Sequence, residues 1–425
     1  MSGRFEAPKG TFDHLPPASG ARAEVERLML AEARLAGYQP IETPIFEDTA
    51  VFARGVGEAT DVVQKEMYSF TDKGGRSLTL RPELTAGIVR ALIEHGRLTT
   101  GLTKVVCSGP QFRYERPQAG RQRQFTQVDI EAMGSDDPAI DADVVLVGHE
   151  VFRRLDIPVT LLLTSLGDPV CRPKYREALL AFLRGLGDRL PAAARARAEQ
   201  NPLRVLDMKD PLVEELTAGA PLMRDFLCGA CSAHDEAVRE LLAGAGVTWE
   251  EAPRLVRGLD YYQRTTFEWQ AGSLDAAQNA LGGGGRYDGL SEALGGPPAP
   301  GTGWALGLDR TVLALEQAGR LPPDPWRLDA LVVPLAATAK VPAQRLVRDL
   351  RRAGLVADLP YADRTLNGHM KAAARAGAGT VVILGEQELA AGQAAVRDMA
   401  AREQEAVGLG EVVTRVAAIV AAGAR

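Results

Sequence analysis

From Ser19 onward, apolar residues fall at Val25, Leu28, Met29 and Leu35, a helical period that Ser19 can cap and Gly37 ends. The next run, Tyr38 to Glu47, reads as a strand. Pro40 and Pro44 place it at an edge or a bulge, because proline has no N–H for a central ladder. Leu78 to Thr85 (LTLRPELT) follows a turn marked by Gly74 and Gly75, and as a strand it presents Arg81, Glu83 and Thr85 on one face. Val105 to Tyr114 and Gln124 to Ala132 also read as strands. They flank a loop holding Arg116, Arg121 and Arg123 beside Pro117 and Gly120, which predicts a hairpin with an arginine-rich tip. A helix follows from Asp141 to Leu155 on Val144, Val145 and Val147, then a strand over Val159 to Leu163. Residues from about 172 to 243 are helical in pattern, rich in Ala, Arg and Leu and broken by prolines, and read as an insertion. Beyond Gly319, Pro322 to Trp326 forms a linker. After it, apolar strands at Ala330 to Leu335 and Thr380 to Leu384 alternate with an amphipathic helix at Ala343 to Arg352, a small α/β domain. The expected division is residues 1–325 and 327–425. The alanine richness of the last hundred or so residues reads as helix propensity.

Composition adds limits. A chain of 425 residues, 46% hydrophobic and 24% charged, has the makeup of a folded enzyme with room for two or three domains. A net charge of -6 argues against non-specific coating of nucleic acid and leaves local basic patches open. The N-terminal stretch lacks the apolar core of a signal peptide and no run approaches a membrane span, so a cytoplasmic protein is expected. Cys228 and Cys231 form a lone CxxC without a second pair or nearby histidines. They read as ordinary helical thiols, and no protein-bound zinc is expected. The five histidines are dispersed.

On the predicted hairpin, Arg113, Glu115, Gln127 and Glu131 stand two or four apart, so each pair shares a face. Cations and carboxylates beside an arginine loop suit a polyphosphate-sized anion that also has a cationic end. Gly282 to Gly285 has neither Walker nor GxGxxG spacing. It leads into Arg286, Tyr287 and Asp288, so close packing of backbone against a ligand is expected there.

FRYERPQAGRQRQF, from Phe112 to Phe125, resembles motif 2 of class II aminoacyl-tRNA synthetases. LVRGLDYYQRTTFEW (Leu255 to Trp269) and LGGGGRYDGL (Leu281 to Leu290) resemble stretches of the histidyl-tRNA synthetase family, and GTGWALGLDR (Gly301 to Arg310) resembles motif 3. The likeness runs from about Lys9 to the C-terminus. It implies an α+β catalytic domain on a mixed, mainly antiparallel class II sheet, with a helical insertion and a C-terminal α/β anticodon-binding domain. It implies a histidine–tRNA ligase acting on L-histidine, ATP with Mg2+, and tRNA(His). Motif 1, whose proline matches Pro44, implies a homodimer; a plain edge strand is the alternative.

The resemblance also assigns roles. Arg113 and Arg257 meet the α-phosphate as catalytic cations, Arg121 and Arg310 meet the β- and γ-phosphates, Phe125 stacks on adenine and Glu115 contacts it. Glu83 and Thr85 hold the histidine ammonium, Gln127 its α-amino and carboxylate side, and Glu131, Tyr262 and Tyr287 the imidazole. Gln118 matches a position near the tRNA acceptor end, a solvent-facing turn residue being the alternative. The insertion closes over tRNA in family members; a scaffold without tRNA contact stays open. A regulatory paralogue that senses histidine for ATP phosphoribosyltransferase generally lacks the C-terminal domain and degrades the arginines. Another class IIa synthetase, for proline, threonine or glycine, would leave RGLDYY and GGGGRYD unexplained.

Overall fold

The computed structural model describes residues 5–57, 60–99, 101–118, 120–206, 208, 210–256, 258–274, 279–362 and 364–423. They divide into two compact units, one of residues up to 14 with 22–322, the other of 15–21 with 323–425.

The first unit holds α1 (Ala18–Leu35) from Arg22 onward, β1 (Gln39–Pro40), β2 (Ser77–Leu80), α2 (Thr85–Glu94), β3 (Thr103–Phe112), β4 (Gln124–Met133) and α3 (Pro138–Arg154). After these come β5 (Val159–Ser165), α4 (Arg172–Gly185), α5 (Gly229–Gly244), β6 (Gln263–Ala271), β7 (Ala280–Arg286), β8 (Gly301–Gly307) and α6 (Leu308–Gln317). An 8-stranded sheet runs β1-β3-β4-β8-β7-β6-β5 and closes on the two-residue strand Glu250–Glu251. Its two outermost pairings are parallel and the rest antiparallel. This is the mixed, mainly antiparallel sheet expected.

Strand periodicity decides which face does what. In β4, Val128, Ile130 and Ala132 enter the main core, which frees Gln127, Asp129 and Glu131 for the other face. In β8, Trp304 and Leu306 point to the core, leaving Gly303, Ala305 and Gly307 opposite Glu131, Asp129 and Gln127. The polar row of β4 therefore lies beside a strip with almost no side chains. The glycine run is the interior of β7 and not a turn. Gly283 and Gly285 extend the bare strip opposite Ala305 and Gly303. Behind them, a Cβ on Gly282 would lie 2.5 Å from Leu306 and one on Gly284 2.8 Å from the Trp304 Cβ, so neither position has room for a side chain.

α3 covers the rear. Asp137 caps it by accepting from Ala139 N at 2.8 Å, and Pro138 opens it. Val144, Val145, Val151 and Phe152 meet Trp269 and Trp304 in one core. A Cβ on Gly148 would come within 2.2 Å of the Trp269 ring. The helix accepts a glycine costing about 1 kcal/mol in propensity because truncating a buried tryptophan costs about 3–5 kcal/mol. The insertion has a core of its own, with Tyr175, Leu179, Leu183, Val205, Val213, Met223 and Cys231 buried together.

Three sequence expectations are corrected. The run Tyr38 to Glu47 divides into β1 and Phe46–Asp48, which belong to different sheets, and Pro44 lies in neither strand. The run Leu78 to Thr85 is a strand only to Leu80, because Pro82 cannot extend the ladder and Thr85 already opens α2. Arg81, Glu83 and Thr85 consequently do not share a strand face. Arg81 turns away to donate to the carbonyls of Pro110 and Thr43, both at 2.9 Å.

The second unit contains β9 (Ala330–Pro334), α7 (Lys340–Arg352), β10 (Ala357–Asp358), β11 (Thr380–Leu384), β12 (Gln393–Asp398) and β13 (Gln404–Gly408). The sheet order is β10-β9-β11-β12-β13, parallel among the first three and antiparallel after. Ala394 and Ala395 lie in β12, so part of the alanine richness belongs to a strand: packing against β11 overrides propensity. No helix among the described residues is long and apolar enough to cross a membrane.

Candidate functional site

A cavity of about 230 Å³ is bordered by Ala305 and Gly307 of the bare strip on β8 and by Ala280, Leu281 and Gly282 of β7. At one end stand Arg113, Arg121 and Arg310. The β3–β4 hairpin supplies the first two, since pairing continues past the strands through Arg113 N to Arg123 O at 3.0 Å and closes where Gln118 and Arg121 bond each other. Arg113 is aimed by a bond from Nε to Pro82 O at 2.8 Å and by lying over the Phe125 ring, 5.3 Å from its centroid. Arg121 faces Glu115 at 3.3 Å. Arg310, in the first turn of α6, donates to Gly120 O and Ala280 O at 2.8 and 2.9 Å. Carbonyls hold it without cancelling its charge. Burial, then the positive charge of Arg121, lowers its pKa. Cations crowded to this degree create a strong demand for an anion.

Acids gather at the other end. Glu83 is buried, and one oxygen accepts from Ala86 N at 2.9 Å, capping the first turn of α2. Its second oxygen has no hydrogen-bond partner among the described residues, nor does one oxygen of Asp129 or the Gln127 Oε1. Orphaned acceptors lining a cavity fit a donor-rich cation such as an ammonium group. Burial raises the pKa of Glu83 and raises that of Asp129 well above the usual range. Burial likewise pushes Glu131 up to about 8. Glu131 accepts from Thr85 Oγ1 at 2.6 Å and from the Tyr287 hydroxyl, and a Cβ on Gly303 would sit 1.9 Å from its carboxylate. Glu131 and Tyr287 stand immediately behind the cavity wall, while Thr85 and Tyr262 border it. Tyr261 joins Tyr262 and Tyr287, with ring centroids 4.7 and 5.7 Å away. The cavity thus accepts an anion at one end and a cation at the other.

The family model for histidyl-tRNA synthetase matches residues 10–311. The chain belongs to the histidyl-tRNA synthetase family. An anticodon binding domain model matches residues 329–419, within the second unit. A protein named histidine–tRNA ligase from Rhodococcus erythropolis is 52% identical over 421 residues, covering 98% of each chain. The Streptomyces coelicolor protein of the same name is 51% identical over 412 residues, 96% of each chain. Among solved structures, the apo histidyl-tRNA synthetase of S. aureus matches with TM-score 0.80 at 35% identity, over 97% of this chain and 100% of that one.

The cavity brings together Glu83, Thr85, Arg113, Glu115, Arg121, Phe125, Gln127, Tyr262 and Arg310. Gln118 is exposed at the hairpin tip, outside the cavity. Arg257 lies outside the described residues; its chain neighbour Gly258 borders the cavity. Arg286 is wholly buried and spans both Asp141 oxygens at 2.8 and 3.1 Å, so it fixes the end of β7 against α3. Asp309, the acid before the motif 3 arginine, accepts from Thr126 N at 2.7 Å and ties β4 to α6.

Sequence reading missed Asp129 and Tyr261. Asp129 shares the alternation that singled out Gln127 and Glu131, and that signal was there to find. Sequence reading also saw Cys228 and Cys231 as a pair without companions. Cys171 and Asp168 stand beside them, and the ligand atoms of all four lie within 4.8 Å of one another. DPVC has the same two-residue gap as CGAC, at a distance along the chain that local patterning does not bridge.

Proposed function

We propose that this chain is a histidine–tRNA ligase that activates L-histidine with ATP and transfers it to the 3′ end of tRNA(His). The observation that carries this reading is the two-ended cavity, with arginines at one end and acids at the other. Histidine enters with its ammonium on Glu83 and Thr85 and its carboxylate toward Gln127 and Arg113. ATP, as its magnesium complex, lays its phosphates along Arg113, Arg121 and Arg310, with adenine against Phe125 and Glu115. The metal ion comes with the substrate.

In the first step a histidine carboxylate oxygen bonds to the α-phosphorus as the bond to the bridging β-phosphate oxygen breaks, and pyrophosphate leaves. No general base is required, because the attacking carboxylate is already ionised. Negative charge builds on the α-phosphate oxygens, where a fixed arginine fork is worth more than in the ground state. Arg113 supplies that fork, and Arg257 completes it from the opposite side. In the second step a ribose hydroxyl of the tRNA attacks the acyl carbon, the bond from that carbon to the phosphate oxygen breaks, and AMP leaves with the hydroxyl proton passing to its phosphate, with Gln118 at the acceptor end.

The imidazole is selected by Tyr262 and by Glu131 with Tyr287 immediately behind the wall. Buried polar groups of this kind go unpaired with any other side chain, which is how such pockets reject analogues. The second unit reads the anticodon, the protein works as a homodimer in the cytoplasm, and Pro44 lies at the dimer contact. Pyrophosphate exchange measured across the twenty amino acids tests the reading. Exchange dependent on histidine alone is expected, and exchange with none of them, or with another amino acid, would overturn it.

A further inference from the structure

We propose that Asp168, Cys171, Cys228 and Cys231 form a structural zinc site at the base of the helical insertion. The four ligand atoms lie within 4.8 Å of one another and come from two segments of the chain. Asp168 and Cys171 lead into α4, while Cys228 and Cys231 enter α5, each pair with two residues between. Spacing of this kind is what a metal knuckle uses, because a tight turn can then present both donors to one point.

The distances fit a single ion. Cys171 Sγ stands 3.8 Å from Cys231 Sγ, 3.2 Å from one Asp168 oxygen, and Cys228 Sγ stands 3.8 Å from the other. A tetrahedron with zinc–sulfur bonds of about 2.3 Å and a zinc–oxygen bond of about 2.0 Å has edges of about 3.8 Å between sulfurs and about 3.5 Å between sulfur and oxygen. The surroundings are those of a metal knuckle. Asp168 N donates to Cys171 Sγ at 3.1 Å, and Gly167 has φ +62 with room for no side chain, since its Cβ would lie 2.6 Å from that sulfur. Arg264 approaches Asp168 at 3.8 Å and offsets part of the negative charge of three thiolates and a carboxylate. Cys171 and Cys231 are buried and Cys228 is half-buried, which leaves a way in for the ion. Three thiolates select a soft ion over magnesium or calcium, and the thiols release their protons to solvent on binding.

Small buried thiols and a capping aspartate also pack ordinary cores. What separates this cluster from one is the convergence of four donors from segments 60 residues apart on one point. The site also adjoins the proposed histidine pocket. Next to Cys171, Arg172 donates to Leu166 O and to Tyr262 O, so an ion here would fix the turn that carries the Tyr262 backbone.

The test begins with full-length protein purified under reducing conditions without chelator. Elemental analysis should find about one zinc per chain, and the Cys231→Ala variant less than about a tenth of that. Cobalt exchanged for zinc in the wild-type protein should give thiolate charge-transfer absorption and the visible bands of a tetrahedral ion. This readout stands even if Cys231→Ala fails to fold, and Cys228→Ser, at the half-exposed ligand, should reduce zinc affinity at least about tenfold. Protein that holds no zinc after dialysis against it, an octahedral cobalt spectrum, or an intact mass lower by two hydrogens from a Cys171–Cys231 disulfide would each overturn the proposal.

Discussion

Replacing Arg113 by lysine keeps the charge and removes the geometry, and so separates two accounts of this arginine. In the structure its Nε is committed to Pro82 O and its plane lies over Phe125. Lysine reproduces neither. The lost hydrogen bond is worth about 1 kcal/mol and the ring contact about 0.5–1 kcal/mol, which together bound the damage to folding at about 2 kcal/mol. The damage to chemistry is larger. Losing one preorganised donor from a site where charge develops costs about 100- to 1000-fold in turnover, and the retained ammonium keeps the loss toward the lower figure.

Pre-steady-state adenylate formation should therefore slow about 100-fold in Arg113→Lys, with the ATP requirement changed less than about threefold, the pattern of a contact strongest in the transition state. Melting recorded alongside should fall by no more than several degrees, the scale set by about 2 kcal/mol in a large domain. Adenylate formation within about threefold of wild type in a folded Arg113→Lys protein would refute the reasoning, because charge alone would then suffice. A fall in rate matched by loss of folded protein would refute it too, because Arg113 would be holding the loop and nothing more.

Arg257→Ala should slow adenylate formation about 100- to 1000-fold with near-normal substrate binding, and normal rates in the folded variant would remove it from the mechanism. Burial raises the pKa of Glu83, Asp129 and Glu131, so the folded protein holds protons that the unfolded chain has released. Stability from these groups is full below their unfolded pKa, 4.5 for the two glutamates and 3.8 for Asp129, and is lost as pH rises, for Glu131 through about 8. The ligand-free protein should therefore melt at progressively lower temperature from about pH 5 to 8, by at most about 1.4 kcal/mol per pH unit per group, and less steeply as Glu131→Gln. Identical profiles for the two proteins would contradict that. Ending the chain after Pro322 should spare pyrophosphate exchange and weaken tRNA charging, measured on the same folded fragment; equal loss of both would count against anticodon reading by the second unit. Sedimentation at micromolar concentration should show a dimer, and a fully active monomer would remove Pro44 from any interface.

The hairpin that carries Arg113 and Arg121 was legible in sequence because two signals coincide there: alternation along each strand and a turn rich in Gly and Pro. The strands found, Thr103–Phe112 and Gln124–Met133, depart from the reading by one or two residues at most ends. At Leu78 to Thr85 the same alternation misled. Its period continues through Pro82, but proline cannot continue the ladder, and the next residues start a helix that Glu83 caps. Glu83 and Thr85 still reach the cavity, by way of a helix N-terminus and not a strand face. Arg81 does not, because carbonyls from Thr43 and Pro110 claim it, and such long-range partners leave no trace in local pattern. Cys171 and Asp168 were invisible for the same reason, and the insertion's fold is what brings them to the CxxC.

The arrangement of charge explains why the floor of the cavity is bare. Each end is unfavourable when empty: arginines repel one another around Arg310, and burial disfavours the charged forms of Asp129 and Glu131. Only a ligand with poles of both signs relieves the two together, and it must lie flat across the sheet to reach both. A side chain on Gly307, which borders the cavity, would narrow that path, and the β-carbon at Gly303 would displace the Glu131 carboxylate. The glycines of β8 are thus the complement of the polar row on β4. Relief at both ends makes the protein most stable with amino acid and nucleotide bound together, so joint addition should raise the melting temperature by more than the sum of the separate shifts. Additive shifts would mean that the two ends are independent sites, and the cavity would then not be a single device for joining the two substrates.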